Sequence, residues 1–342
     1  MLSAPAVHLP AAAPGLLLCT AGAAVAFGVG QTIGVAPLLV AIMLGVAVAN
    51  TVLRRDGAIT RTLAPGTAVA SKTLLRIGVA LLGLQLLVPD VLALGWGTLG
   101  VAVAVVALGV AGTLWLGARL GLNWTQRLLI ACGFSICGAA AAAAVDGMIS
   151  ARTRELVTTV ALVVVFGTAM IPLLPALSGA LGLDGTRAGM WAGAAVHEVA
   201  QVVAVGSALD TTAAGALTVA VTVKLARVAL LAPVAAGVGL VARRRGETPA
   251  GTRRPPLVPL FLVGFLACAA LRATGFLPAA SVQVAHAVQV WLLAAAMFAL
   301  GTGVRVDVLR GIGWRPVVLA GFATVWVTAI ALAGVLLVHP LG

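Results

Sequence analysis

Apolar residues run in long blocks along this chain, and short stretches with arginine, glycine and proline separate them. The blocks occupy 15–33, 35–53, 72–90, 95–117, 127–149, 156–183, 190–208, 212–241, 255–271, 284–303 and 316–338. Most are close to the ~20 residues that a helix needs to cross a bilayer. They lack the alternation of apolar and polar positions over ~10 residues that marks membrane β-strands. The pattern therefore predicts an all-α polytopic membrane protein with about 10–11 transmembrane helices. It reads as a single integral membrane domain over 1–342. A first helical group spans 15–241, a basic loop rich in Arg, Pro and Gly covers 242–256, and a second helical group spans 257–342.

Composition strengthens this reading. Hydrophobic residues make up 62% of the chain and charged residues 9%, against ~25% charged residues in a soluble domain. The formal net charge of +12 does not imply a nucleic-acid partner, because the cations sit mostly in short loops, as the positive-inside rule requires. With a cytoplasmic amino terminus, the cytoplasmic loops hold Arg54, Arg55, Arg61, Lys72, Arg119, Arg127, Arg187, Arg243, Arg244, Arg245, Arg253, Arg254, Arg305, Arg310 and Arg315. External loops hold only Arg152, Arg154 and Arg272, while Arg76, Lys224 and Arg227 fall within blocks. This bias predicts a multi-pass protein of the bacterial inner membrane, with the carboxyl end outside. The first block lacks the basic flank of a signal peptide. Trp96, Trp124, Trp191 and Trp314 lie near expected span ends, where tryptophan anchors helices at the interface. Cys19, Cys132, Cys137 and Cys268 all lie in apolar blocks without metal-site spacing. They are expected to be free and buried, with no metal or cofactor implied.

Candidate chemistry concentrates between 133 and 227. The segment Gly133-Phe134-Ser135-Ile136-Cys137-Gly138 interrupts an apolar block with glycines and small polar residues. Broken transport helices use such segments, because freed amides at a half-helix amino terminus can hold an anion. Close packing through small residues is the simpler alternative. In Val196-His197-Glu198-Val199-Ala200-Gln201, His197 and Gln201 share one helix face and Glu198 is adjacent. A carboxylate at mid-membrane costs about 2.5 kcal/mol or more unless partnered or wet, and His197 with Glu198 could exchange protons near neutral pH. The alternative places them at the water interface, capping a helix. Lys224 and Arg227 are three apart on one face of an apolar block. One carboxylate cannot neutralise both, which leaves positive charge for an oxyanion. The competing reading has them snorkel to the cytoplasmic surface, as Arg76 is expected to do. His8, His286 and His339 have no evident partner in the sequence.

Two internal similarities suggest inverted repeats. One pairs 81–97 with 299–315, and the other pairs Gly133 onward with Gly193 onward. A simple count of eleven spans gives the second pair the same direction, so both cannot belong to one inverted duplication without a re-entrant segment.

The segments SICGAAA at Ser135, AAVHEVAQVVAVG at Ala194 and VKLARVALLAPV at Val223 resemble the signatures of the YeiH-like sulfate exporter family. So do LLRIGVALLGLQL at Leu74 and AMFALGTGVRVDVLRGIGWRP at Ala296. Glu198 stands where that family commonly has Asp, and Ala226 where it commonly has Thr. The resemblance implies an inner-membrane transporter of the cation/proton antiporter and anion transporter class, in which a scaffold accompanies a mobile domain of broken, crossing helices. The expected function is gradient-driven transport, as an exporter, of a small anion such as sulfate or a related oxyanion. Substrate binding is expected at Ser135, Cys137, Gly138, Gln201, Lys224 and Arg227, and proton coupling at His197 and Glu198. Sodium coupling and a homodimer remain open. A cation/proton antiporter competes but would want a denser carboxylate site. An intramembrane enzyme using Ser135 or Cys137 with His197 is the weaker alternative, and no enzymatic activity is expected.

Overall fold

A computed structural model describes residues 9–55, 57–86, 88–149, 151–210, 215–245, 260–305 and 311–338. Every regular element among them is helical, as the unbroken apolar blocks require. Among the described residues, seven helices are long and apolar enough to cross a membrane, and three shorter apolar helices accompany them. His8, Arg253, Arg254, Arg310 and His339 lie outside the described residues, as does most of the basic loop.

The chain divides into two compact units. One comprises Met1–Leu82 with Leu277–Gly311, the other Gly83–Phe276 with Ile312–Gly342. The first is built from α1 (Leu9–Ile33), α2 (Pro37–Arg55), α3 (Gly57–Val69), a π-helical turn (Ala70–Leu74), α4 (Leu75–Leu82) and, after the second unit's long insertion, α15 (Ala279–Thr302). Glycines let its helices touch backbone to backbone. A Cβ on Gly45 would strike the Phe298 carbonyl, and one on Gly301 would strike the Ile42 carbonyl. Gly15 and Gly66 close the α1–α3 contact in the same way. This is the small-residue packing of membrane helices, which lack a hydrophobic drive toward each other in lipid. Asn50 Nδ2 adds a bond to the Val304 carbonyl at 3.0 Å.

One expectation fails here. Residues 57–71 were expected to form a cytoplasmic loop, yet the helix is continuous over Gly57–Gln85. Arg61 and Lys72 are therefore helical residues. Thr62, Thr67 and Ser71 return their hydroxyls to carbonyls three or four positions back, which lets a polar sequence stay helical.

The second unit contains α5 (Val88–Ala93), α6 (Gly95–Arg119), α7 (Trp124–Cys132) with a π-helical turn (Gly133–Cys137), α8 (Ala139–Asp146) and α9 (Thr153–Ala180). It continues with α10 (Gly185–Ala195), α11 (Val199–Asp210), α12 (Ala216–Ala229), α13 (Leu231–Arg244), α14 (Leu260–Ala273) and α16 (Trp314–Val338). Its core joins α6, α9, α10, α11, α12 and α16 through Val105, Leu174, Trp191, Val202, Val223 and Val327. Trp191 was expected at the interface; instead it is buried, and its Nε1 donates to the Thr328 carbonyl at 3.0 Å. Trp96 and Trp314 are exposed, as interfacial anchors should be. Trp124 carries Arg245 over its ring at 4.1 Å and Arg127 at 5.3 Å. All four cysteines are free, with Cys19, Cys132 and Cys137 buried and Cys268 partly buried.

Candidate functional site

Two apolar runs of the second unit are broken midway, and the breaks meet. The first falls at Gly138, whose φ of 73° and ψ of −134° suit glycine alone. The π turn ends there and α8 begins at Ala139. The second spans 196–198, where Val196 is extended (φ −63°, ψ 145°) between α10 and α11. Each break exposes a helix carboxyl end with unpaired carbonyls and a helix amino end with unpaired amides, which a buried site must satisfy.

Lys224 and Arg227, on α12, satisfy the carbonyls. Both are fully buried (0% exposed), so the snorkelling alternative is excluded. Lys224 Nζ donates to the carbonyls of Ile136 at 2.9 Å, Val196 at 2.7 Å and His197 at 2.6 Å. Its three donors are thereby filled. Arg227 Nη1 reaches Gly193, Ala194 and Val196 at 3.1, 2.7 and 3.2 Å, and Nη2 reaches Ser135 at 2.6 Å. Two cations thus tie together the carboxyl ends of two half-helices, where the helix dipole favours positive charge. α12 comes this close because Gly189 and Gly193 of α10 lie against the Ala216 and Ala220 carbonyls.

Glu198 serves the amino ends. Its Oε1 accepts the Ala139 amide at 2.9 Å, capping α8 from the other broken helix. Its own amide donates to Gln201 Oε1 at 3.2 Å. Gln201 Nε2 is buried without a partner, as are Arg227 Nε and Ser135 Oγ. Gln201 fits because residue 167 of α9 is glycine, where a Cβ would overlap the carboxamide. His197 Nδ1 lies 3.1 Å from the Phe134 carbonyl and Nε2 3.0 Å from Thr324 Oγ1. A carbonyl only accepts, so Nδ1 carries a proton. All eight residues expected to form the site lie at or bond to the two breaks of the second unit, but Ser135 meets Arg227 by its carbonyl while its hydroxyl faces Gly109 of α6.

A sequence model described as conserved hypothetical protein 698 matches residues 14–320. A UPF0324 membrane protein of Corynebacterium glutamicum is 49% identical over 327 residues, covering 95% of this chain and 92% of its own. The UPF0324 membrane protein TauZ of Paracoccus denitrificans is 35% identical over 338 residues, covering 98% and 97%. A UPF0324 membrane protein of Bacteroides thetaiotaomicron is 35% identical over 322 residues, covering 91% and 94%.

The chain belongs to the UPF0324 family of membrane proteins.

No solved structure matches it. In this UPF0324 chain the sequence pattern located the charged members of the site but missed two of its supports and a buried carboxylate outside it. Thr324 holds His197 from α16, and the only hint was a hydroxyl inside an apolar block. The carbonyls that hold Lys224 and Arg227 carry no side-chain signature. Glu155 is a second buried carboxylate, accepting from Asn123 Nδ2 and Thr125 Oγ1 at 2.6 Å each and from the Arg152 amide at 3.3 Å. With those donors it is a structural cap joining α7 to α9.

Proposed function

We propose that this protein is a secondary-active transporter of a small oxyanion, which binds where the two broken helices meet. The observation that carries the reading is the pairing of two half-helix amino ends with two buried cations. Lys224 and Arg227 spend most of their donors on carbonyls, so their part in binding is to supply positive field. The α8 and α11 amino ends, with Cys137, Gly138 and Gln201 around them, supply the direct contacts, and Ser135 enters through its carbonyl on Arg227. Glu198 is the proton carrier, and His197 adjusts the field on it. The resemblance to sulfate exporters makes sulfate, or a relative such as sulfite, the first candidate. The positive-inside bias supports an inner-membrane location with a cytoplasmic amino terminus, and the pattern of the two breaks fits an internal repeat.

A cation/proton antiporter is less well supported, because a lone Glu198 stands beside two cations. An enzyme is also less well supported. Both ring nitrogens of His197 are engaged by Phe134 and Thr324, so it is not poised to activate Ser135 or Cys137.

The test is flux of radiolabelled sulfate and sulfite in proteoliposomes under an imposed pH gradient. Saturable uptake that collapses with the gradient is expected. Reconstituted, folded protein that moves neither anion under any gradient would refute the reading.

A further inference from the structure

Glu198 immediately precedes α11, yet its carboxylate sits on the first amide of α8, in the other broken run. The side chain can cross only because residue 138 is glycine: a Cβ there would strike Glu198 Cγ. The position it fills is the one a helix amino end offers to an anion. Two side chains that bond to the same breaks also carry unpartnered donors. Gln201 Oε1 accepts the Glu198 amide, which fixes the carboxamide beside that residue and leaves Nε2 as a buried donor without an acceptor. Arg227 Nε is a second such donor. Both residues are fully buried. Buried unpaired donors are costly, and an oxyanion, which carries only acceptors, is their natural complement.

We propose that the Glu198 carboxylate is a tethered occupant of this oxyanion site, and that a free oxyanion replaces it only when Glu198 takes up a proton. The inference rests on the anion-transport reading and specifies how that site is regulated. Charged Glu198 holds Ala139 and excludes a second anion by repulsion and by occupancy. Neutral Glu198 is a weak acceptor and releases the amide, so one proton enters with each anion. The charged and titratable groups that act on it are Lys224 from α12 and Cys137 from the π turn, with His197 next to it in the chain and Arg227 one turn beyond Lys224. Gly167 of α9 lies against Gln201 and Thr324 of α16 against His197, and neither titrates. The two cations keep the site positive in either state, which leaves Glu198 as the group that decides occupancy.

The test uses the full chain in lipid nanodiscs, with sodium sulfate and sodium methanesulfonate, which stay fully ionised over the pH range, as separate probes. Calorimetry in buffers of different ionisation heat counts protons taken up on binding, and infrared difference spectra report a carboxylic acid. For the wild type, affinity should fall about tenfold per pH unit on the alkaline side of the transition. About one proton should enter per anion, with a carboxylic-acid band appearing. Glu198→Gln should bind both probes without pH dependence, without proton uptake and without the band, at the wild-type low-pH affinity or better. Glu198→Ala, which vacates the site, should do the same and serves as the second arm should the glutamine variant fold poorly. Wild-type pH dependence persisting in folded Glu198→Gln would overturn the tether, and so would loss of binding in both variants. Folded wild type that binds neither probe at any pH would overturn the anion reading itself, and the tether with it.

Discussion

Lys224 shows how far a residue's type speaks for its role. Two cations on one face of an apolar helix announced a buried polar site, and the structure brings them to one. Their hydrogen bonds, however, go to main-chain carbonyls of Ser135, Ile136, Gly193, Ala194, Val196 and His197. Carbonyls are present at every position, so no sequence pattern could reveal which ones a lysine would take. The consequence is that Lys224 should matter for folding as well as for binding. Lys224→Met leaves three carbonyls without that donor, at about 1–3 kcal/mol per orphaned group. A clear drop in the thermal unfolding midpoint in detergent is expected, with Lys224→Arg intermediate. An unchanged midpoint for Lys224→Met would mean the carbonyls find water instead. Gly138 carries a similar lesson, since a strained backbone with φ of 73° costs a non-glycine residue about 1–3 kcal/mol. Gly138→Ala adds the clash with Glu198, so it should lower the midpoint and flatten the pH dependence of anion binding together.

At the scale of elements, the apolar blocks marked most helices, because lipid imposes one simple demand on length and composition. Block ends were harder to place. The first turns of the helix over Gly57–Gln85 carry Thr60, Arg61 and Thr62, which look like loop until Arg61 and Thr62 bond back to the Gly57 and Ala58 carbonyls and Thr60 donates to Leu53 of α2. The second break was legible because His197 and Glu198 are residues that an uninterrupted membrane helix avoids; the first was marked only by Gly133 and Gly138 with small polar residues between them, a composition that helix packing also uses. Their meeting was not legible, since it depends on the tertiary approach of α12. Helix contacts in the first unit also rest on single atoms. α2 and α15 meet through Gly45 and Gly301, whose missing side chains admit the partner's carbonyls. Gly301→Leu should force these helices apart, at about 1–3 kcal/mol or more for an overpacked contact. Gly237, with open space around it, is the control, and Gly237→Leu should be close to neutral. Comparable melting of the two variants would show that the α2–α15 contact tolerates separation.

For the whole molecule, the tether fixes how much charge moves in one transport cycle. In the empty carrier, Lys224 and Arg227 face a charged Glu198; in the loaded carrier they face an oxyanion and a neutral Glu198. Replacing the carboxylate by a singly charged oxyanion leaves the charge of the site unchanged, whereas sulfate lowers it by one. A singly charged anion with one proton therefore crosses without net charge, and sulfate with one proton carries one negative charge. A membrane potential acts on that charge with about 2.3 kcal/mol per 100 mV. Proteoliposomes loaded with labelled sulfate, with an inside-negative potential set by potassium and valinomycin, should release it faster than at zero potential. Methanesulfonate, a singly charged oxyanion, should leave at a rate the potential does not change if it is a substrate. Glu198→Gln alters the empty carrier most, because the α8 amino end then has no anion to cross with and the site keeps both positive charges uncompensated. Net efflux should fall severely in that variant, while sulfate–sulfate exchange, in which the carrier never crosses empty, should persist. Equal loss of net efflux and exchange in a folded Glu198→Gln protein would place Glu198 in binding itself and end the account of it as the carrier's own anion.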